Sequence, residues 1–217
     1  VDINNYHFLW VLDEDALFYN TDLSLMFSLA RESRSGIMTP AFKTVLPGKP
    51  PMLGELGDND SAVGPDEVEM DKSRSTPSSD TDCQPGEPEC AFQAPAHACL
   101  FRHTNFVEVP FALMQPEAFR EVIGRCKECM PSRDSTWGLN RVWCTYIAQG
   151  NSWGVHDACA ILDATPIVHM NTRAHPKYHV IRGHQYLPPH AKVLEQVHAA
   201  LPSFWMDKPM AYTCKSK

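Results

Sequence analysis

The stretch that decides the fold is YHFLWVLDEDALF, residues 6–18. It begins with seven mostly apolar residues, 6–12, and then places Asp13, Glu14 and Asp15 in a row. A continuous run of apolar, aromatic and β-branched residues predicts an inner strand that is covered on both faces, as in α/β sheets. Ligands of open α/β sheets bind beyond the carboxyl ends of the strands. The segment therefore predicts a functional site where this strand ends.

The three acids allow a metal site. In extended backbone, Asp13 and Asp15 point to one side while Glu14 points to the other. Carboxylate oxygens suit a hard cation such as Mg²⁺ or Mn²⁺, and that cation can neutralise a diphosphate. A plainer interpretation also holds, in which Asp13 caps a turn and Asp15 is solvated.

A phosphatase of the haloacid dehalogenase type is a weaker alternative, since it also carries an Asp pair after its first strand. That class has Thr or Val two residues after the second Asp, where this chain has Leu17. No convincing lysine and acid pair follows downstream.

Composition narrows the class of protein. The chain has 217 residues, is 43% hydrophobic and carries a formal charge of −7. Many of its acids lie in residues 55–90, and the remainder is close to neutral, so the basic face that a nucleic-acid binder needs is missing. No run approaches the roughly 18 apolar residues of a membrane span.

The ends and the cysteines leave several questions open. The chain starts at Val1, just before the strand, and has no initiator Met, so we expect it to be a piece of a longer protein. Cys126 and Cys129 form a C-x-x-C, but a zinc site needs a second pair. Three further cysteines lie in or beside a Pro-rich loop, where disulfides form readily in a secretory compartment: Cys83, Cys90 and Cys99.

The first 46 residues predict one part of a single domain. A helix capped by Thr21 or Asp22 follows the acids. Its apolar face is predicted to consist of Leu23, Met26, Phe27 and Ala30. Gly36 is expected to end the helix, and residues 37–42 predict a short strand that stops at Pro40.

Residues 47–95 change abruptly to Pro, Gly, Ser, Asp and Glu. Such a segment cannot bury enough apolar surface to offset its ordering entropy, which predicts a disordered acidic insert. Residues 96–180 continue the same domain as residues 1–46. Residues 181–217 predict a C-terminal helix, at 188–201, and a tail.

The second half of the domain alternates strands and helices. Residues 104–114 predict a strand, and Pro116 a helix start. A further helix is predicted at 137–148. ACAILDATPIVHM predicts a strand that ends near Asp163 and a second apolar stretch that ends at His169.

Four segments occur in a fixed order: FLWVLDED, RHTNFVEVPFALMQPEAF, WGLNRVW and ILDATPIVH. This order resembles a family of uncharacterised glycosyltransferase-like proteins, the DUF707 group with its DUF5672-like relatives. Their chains read roughly D-x-D, R-x-T-N-F-V-E, W-G-L-D-x-x-W and D-A-x-P-x-x-H. The resemblance covers essentially everything outside the insert and the tail.

The resemblance implies a GT-A fold, an α/β architecture whose mixed, mostly parallel sheet is flanked by helices. It also implies a nucleotide-sugar donor, a divalent metal (Mn²⁺ or Mg²⁺), and a glycan, protein or small molecule as acceptor. A GT-A domain normally begins with βαβ units that bind the nucleotide. Only five residues precede the first strand here, so we expect that half to be missing.

Carried over by position, Asp13 and Asp15 match the D-x-D that binds the metal and the donor. His169 matches the family's late histidine, a metal ligand in many GT-A enzymes, although a lone histidine is more often an ordinary strand-end residue. Asp163 is expected to orient the turn before Pro166.

On the acceptor side, Trp137 and Gly138 match the W-G of the family, and Trp143 is expected to be core. Asn140 stands where the family has an Asp that could serve as the general base. An amide cannot accept that proton. The reaction is then retaining, or impaired, or uses another acid as base: Asp134, Glu108 or Asp157.

Arg102 and Asn105 belong to the strand expected to floor the acceptor site, where Arg102 is a plausible partner for a buried Glu108. The sequence thus predicts a metal-dependent glycosyltransferase. The alternative is a carbohydrate-binding or scaffold protein that kept the fold and lost turnover. The compartment stays open: Golgi if the full chain has an N-terminal anchor, cytoplasmic otherwise.

Overall fold

Seven strands form one mixed sheet with helices on both faces, an α/β arrangement. The computed structural model describes residues 2–13, 16–19, 21–44, 92–126, 129, 139–150, 152–169, 180–181, 184–185 and 209–217.

The strands are β1 (Leu9–Trp10), β2 (Ala16–Leu17), β3 (Ile37–Thr44), β4 (Cys99–Thr104), β5 (Leu113–Met114), β6 (Cys159–His169), β7 (Val180–Ile181), β8 (His184–Gln185) and β9 (Ala211–Ser216). The helices are α1 (Leu23–Ser33), α2 (Pro116–Phe119) and α3 (Leu139–Ala148). A π-helical segment, Arg120–Arg125, continues α2, and 3-10 turns cover Ile3–Asn5 and Val109–Phe111.

The strand order is β1-β5-β3-β6-β4-β9, with β2 paired to the end of β6, while β7 and β8 form a separate hairpin. Among the described strands, β3 and β6 form the one parallel pair. The mixed sheet confirms the α/β prediction, but the expectation of a mostly parallel sheet is wrong. A parallel pair of strands needs a crossover connection, whereas antiparallel neighbours can be joined by a short turn. Helices α1 and α3 directly precede the two strands of the parallel pair, β3 and β6 respectively.

The first strand is not the inner parallel strand that its apolar run predicted. β1 is two residues long and pairs antiparallel with β5 at the edge of the described sheet. Val11 and Leu12 are 40% and 41% exposed. Phe8 and Trp10 instead pack on Phe27 of α1, with ring centroids 6.1 and 6.2 Å apart. Aromatic packing on a helix therefore explains part of the apolar run, and burial in the sheet does not.

Helix α1 begins where the sequence predicted. The side chain of Asp22 accepts a hydrogen bond from the Leu25 N–H over 2.9 Å, as an N-cap does. Met26 and Ala30 are fully buried, as expected, whereas Leu23 is 41% exposed.

The end of α1 differs from the prediction. Arg34, not Gly36, is the C-cap, with φ of 57° in the left-handed region. Gly36 has a packing role, because a Cβ there would lie 2.7 Å from the Trp153 ring and 2.9 Å from Ile147.

Pro40 does not end its strand, because β3 runs on to Thr44. Pro40 pairs with Leu162 and Phe42 with Ile167, so β6 takes five steps where β3 takes two. The extra residues form a bulge at 163–166. A proline lacks the N–H that a regular ladder needs and is tolerated at such a bulge. The two apolar stretches predicted around Asp163 are therefore one strand, β6.

Residues 104–114 are not one strand. The side-chain oxygen of Thr104 accepts a hydrogen bond from the Phe106 N–H over 3.0 Å and donates to the Phe106 carbonyl, which turns the chain away from β4. Pro110 then lies in a 3-10 turn before β5. Local side-chain bonds of this kind compete with strand pairing.

The two sheet faces have separate cores. Ile37 joins Val122, Trp143 and residues around them on one face. The next residue, Met38, joins Met26 and other α1 residues on the opposite face, as the twofold alternation of a strand requires.

The predicted insert, 47–95, ends earlier than expected, because Gln93 is fully buried. Residues 47–91 and the helix predicted at 188–201 lie outside the described residues, whereas 211–216, predicted as tail, form strand β9. Within the described part of the chain, no helix is long and apolar enough to cross a membrane.

Three disulfides link the described elements. Cys99–Cys214 joins β4 to β9, Cys144–Cys159 joins α3 to β6, and Cys126–Cys129 closes the C-x-x-C. In this structure the C-x-x-C is therefore a disulfide and not a zinc site. Cys83 and Cys90 lie outside the described residues.

Candidate functional site

The segment of the three acids and the end of β6 meet in one corner of the sheet. His169, the last residue of β6, pairs with Ala16 of β2. Ala16 directly follows Asp15, and its N–H donates to the carbonyl oxygen of Asp13 over 3.4 Å. Opposite residues of antiparallel strands have Cα atoms about 4.5–5.5 Å apart. The acidic segment therefore ends directly opposite His169.

The Ala16 N–H donates to the Asp13 carbonyl, so the described residues on either side of Glu14 and Asp15 lie close together. β1, before this segment, pairs with β5, whereas β2, after it, pairs with β6. Glu14 and Asp15 lie outside the described residues, so the expectation of an extended segment with Asp13 and Asp15 on one side stays a prediction.

The Val109–Phe111 turn anchors the acidic segment from a second side. The Asp13 N–H donates to the Pro110 carbonyl over 3.1 Å. The indole N–H of Trp10 donates to the Phe111 carbonyl, also over 3.1 Å. Glu108 immediately precedes this turn and is half-buried. Of the two candidate bases in the described residues, Glu108 is the one whose backbone adjoins the acidic segment.

The His169 side chain is held between two phenylalanines. Its ring centroid lies 5.2 Å from that of Phe111 and 5.8 Å from that of Phe42, both edge-on. The residue is 6% exposed. These contacts restrict rotation of the imidazole plane, so His169 is a buried residue and not a loose surface histidine.

Gln93 connects this corner to β3. Its side-chain oxygen accepts from the Glu108 N–H over 3.3 Å, and its amide group donates to the Pro40 carbonyl over 3.4 Å. The Phe42 N–H donates to the Gln93 carbonyl over 3.2 Å. One buried amide therefore fixes the backbone before Glu108 relative to the strand that carries Phe42.

Two of the three expected metal ligands, Asp13 and His169, belong to the described part of this corner. A carboxylate such as that of Asp13 suits Mg²⁺ or Mn²⁺, whereas an imidazole such as that of His169 is typical of softer divalent ions. Within the described residues no group of three His, Cys, Asp or Glu side chains is placed to hold an ion. Asp15, the third expected ligand, lies outside those residues.

Arg102 does not belong to this corner. Its Nε lies 3.2 Å from Oδ2 of Asp163, so it pairs with that carboxylate and not with Glu108 as expected. Arg102 is opposite Ile161 on β6, which pairs with Thr39 on β3, whereas His169 pairs with Thr44. Five residues of β3 span about 17 Å. Arg102 therefore belongs to a structural ion pair that lies far from His169.

The Asp163 carboxylate contacts Ala96 and Arg102, which lie outside the turn before Pro166 that the sequence expected it to orient. Its Oδ1 accepts the Ala96 N–H over 2.8 Å. Burial raises the pKa of Asp163 to about 6, although the Ala96 hydrogen bond and the charge of Arg102 act to lower it. The free-energy cost of desolvating the carboxylate thus exceeds the stabilisation that its hydrogen bond and its ion pair give to the charged form.

Asn105 and Asp157 also lie away from His169. The Asn105 side-chain oxygen accepts from the Met210 N–H over 2.7 Å, which ties β4 to the approach to β9. Asp157 is exposed in the turn before β6, at the opposite end of that strand. The eight residues of β3, Ile37–Thr44, run alongside β6 from Cys159 to His169. The seven steps between the ends of β3 correspond to about 23 Å. Asp157 is therefore not placed to act beside His169.

The remaining predicted residues are not described. Asp15, Asp134, Trp137 and Gly138 lie outside the described residues, and of Asn140 only the helical backbone is described. Trp143 is core as expected, because it is 3% exposed and its indole N–H donates to the Cys129 carbonyl over 2.8 Å.

Sequence reasoning missed the residues that shape this corner: Phe42, Gln93 and Phe111. Gln93 closes a stretch whose composition predicted disorder, so nothing local marks it as buried. Phe111 lies in a segment interpreted as strand. The Pro between Val109 and Phe111 is the one local signal that could have indicated the 3-10 turn.

Comparison with protein-family models, with curated proteins and with solved structures found no match.

Proposed function

We propose that this chain is part of a metal-dependent glycosyltransferase that transfers a sugar from a nucleotide-sugar donor to an acceptor hydroxyl. The observation that carries the proposal is the pairing of Ala16 with His169. It joins the acidic segment to the late histidine, two features that lie about 150 residues apart in the sequence and that the resemblance assigns to one site.

In this proposal Asp13, Asp15 and His169 hold Mn²⁺ or Mg²⁺. The ion would neutralise negative charge on the departing nucleoside diphosphate. Phe42 and Phe111 keep the imidazole in one plane, so that its ring nitrogen needs little reordering to bind.

Glu108 would serve as the general base. Only Val109 lies between Glu108 and Pro110, whose carbonyl accepts from the Asp13 N–H, so the backbone of Glu108 lies next to the acidic segment. In an inverting reaction Glu108 takes the proton of the acceptor hydroxyl while the hydroxyl oxygen bonds to the anomeric carbon. The bond from that carbon to the diphosphate oxygen breaks, and its electron pair leaves with the nucleoside diphosphate. Because Asn140 cannot accept a proton, this role needs another acid.

The three disulfides support an oxidising compartment for this proposed enzyme, because such bonds persist in secreted and lumenal proteins and are rare in the cytosol. We therefore favour the secretory pathway over the cytoplasm as its location.

The test is release of nucleoside diphosphate from a panel of sugar nucleotides by the full chain with Mn²⁺. Glu108→Gln should lower the turnover by about 10²–10⁴, the usual contribution of a general base. His169→Ala and Asp15→Asn should reduce the release to background. Asp157→Asn is the matched control, because this carboxylate lies at the other end of β6. Equal loss in the control and in His169→Ala, or glycan binding without any release, would contradict the proposal.

A further inference from the structure

A pocket of about 420 Å³ lies at the opposite end of the sheet from His169, and its lining includes Arg31, Arg34, Glu117 and Ser152. Arg34 precedes β3, whereas His169 pairs with the last residue of β3. Seven residues of strand separate the two ends, about 23 Å, so the pocket is independent of the proposed glycosyltransferase site.

Two arginines give this pocket its charge. Arg31 and Arg34 are both exposed, and among the described residues neither guanidinium has an acidic partner within ion-pair distance. The one carboxylate in the lining, Glu117, accepts a hydrogen bond from the Ser152 hydroxyl over 2.6 Å. Two cationic groups against one acid leave the pocket positive, and guanidinium groups bind phosphate, sulfate and carboxylate oxygens in pairs.

Arg34 adopts a backbone conformation that a side chain disfavours. Its φ of 57° caps α1 in the left-handed region, where glycine is the usual residue. The carbonyl of Arg34 accepts from the indole N–H of Trp153 over 3.1 Å and from the Gln115 amide over 3.4 Å. The backbone is thus pinned. The charge of Arg34 is favourable at the C-terminal end of a helix, but a glycine would suit the backbone better, and the guanidinium lines the pocket.

The rest of the lining suits a polar ligand with an apolar side. Arg31 lies in the last turn of α1, where a cation is favourable in any case. Glu117 and Ser152 offer an acceptor and a hydroxyl, while Phe8 and Trp153 offer aromatic surface. A sugar ring that carries a tetrahedral oxyanion has this combination of groups.

We propose that Arg31 and Arg34 form a binding site for a phosphate or sulfate group, and that Glu117 and Ser152 contact hydroxyl groups of the molecule that carries it. The oxyanion can come from inorganic phosphate, from a sugar phosphate or from a sulfated glycan.

The test is isothermal titration of the full chain with inorganic phosphate, sulfate, glucose 6-phosphate and glucose at matched ionic strength. Phosphate and sulfate should bind, and glucose 6-phosphate should bind more tightly than either because it adds the hydroxyl contacts. Glucose without the phosphate should not bind measurably. If phosphate and glucose 6-phosphate bind equally, the role of Glu117 and Ser152 is wrong.

Arg34→Gly separates binding from folding. The substitution should raise the melting temperature, because glycine suits the left-handed cap. It should also weaken the affinity for phosphate by roughly tenfold or more, because one charge-assisted contact is lost. Arg31→Gln should weaken it to a similar extent. Arg125→Gln, an exposed arginine paired with Glu121, is the control and should leave the affinity unchanged. No phosphate binding to the wild type, or affinities of Arg34→Gly and the control within twofold of the wild type, would overturn the assignment.

Discussion

Arg102 and Asp163 form an ion pair with 3.2 Å between Nε and Oδ2, and together they hold the chain that returns from the acidic insert. Arg102 donates to the carbonyls of Phe92 and Ala94 over 2.6 and 2.7 Å, and its guanidinium lies 4.8 Å from the Phe92 ring centroid. Asp163 accepts the Ala96 N–H. The buried pair therefore holds residues 92–96 against the sheet.

This pair makes stability depend on pH in a specific direction. Burial raises the pKa of Asp163 from 3.8 to about 6, so between these values the folded state binds a proton that the unfolded state has lost. The contribution of this group to the free energy of unfolding therefore falls as the pH rises through that window, by at most about 1.4 kcal/mol per pH unit. Asp163→Asn should remove this slope, as measured by denaturant unfolding at a series of pH values.

The control for that slope is Asp157→Asn, which removes an exposed carboxylate and should keep the wild-type pH profile. The measured quantity is the difference in unfolding free energy between the wild type and each variant. A difference that stays constant from pH 3.8 to about 6 would contradict the raised pKa.

The disulfide Cys99–Cys214 should hold β9 against the sheet. Most of β9 is exposed, and the bond closes a separation of 115 residues. The chain-entropy model assigns about 4.7 kcal/mol to a loop of about 100 residues. Replacing both cysteines by serine should lower the unfolding free energy by up to that amount and speed amide exchange at 211–216. Amide exchange in the central pair, β3 and β6, should remain slow.

The matched control replaces Cys126 and Cys129, a separation of only three residues. This change should leave amide exchange in β9 at the wild-type rate, because the bond lies elsewhere and closes a short loop. If both double variants release β9 to the same extent, the strand is not held by its own disulfide.

Gly36 should not tolerate a side chain. A Cβ would lie 2.7 Å from the Trp153 ring, which is itself 9% exposed and bonded to the Arg34 carbonyl. Gly36→Ala should therefore lower the unfolding free energy by about 1–3 kcal/mol, the usual cost of overpacking. Gly124→Ala is the control, since nothing lies within 4 Å of its Cβ position. It should be neutral or stabilising by up to about 1 kcal/mol, and equal losses would show that the contact with Trp153 is unimportant.

The features that the sequence predicts well depend on local chemistry. The Asp22 cap and the Pro116 helix start were confirmed because a cap is decided by residues within one turn. The burial of Trp143 was confirmed as well. The position of β1 was wrong because an apolar run has the same appearance whether its partner is a neighbouring strand or a helix such as α1.

The candidate site was predictable in part. The resemblance joined the acids to His169, and β2 does pair with that residue. The position of Arg102 depended on which carboxylate it meets across the sheet, and strand register is decided by tertiary packing. The bulge at 163–166 similarly has no local signal in the sequence except Pro166. The extra residues of this bulge determine the distance along β6 between His169 and the position opposite Arg102.

The last prediction concerns the three proposed metal ligands, Asp13, Asp15 and His169. If these residues bind a divalent ion, Mn²⁺ stabilises only the folded chain. At one hundred times its dissociation constant the gain is about 2.7 kcal/mol, or roughly 5–10 °C in Tm for a chain of this size. Differential scanning fluorimetry with and without Mn²⁺ measures this shift. His169→Ala and Asp15→Asn should remove most of it, whereas Asp157→Asn should retain it. A shift of the wild-type size in His169→Ala would show that the histidine is a core residue held by Phe42 and Phe111, and that the ion binds elsewhere.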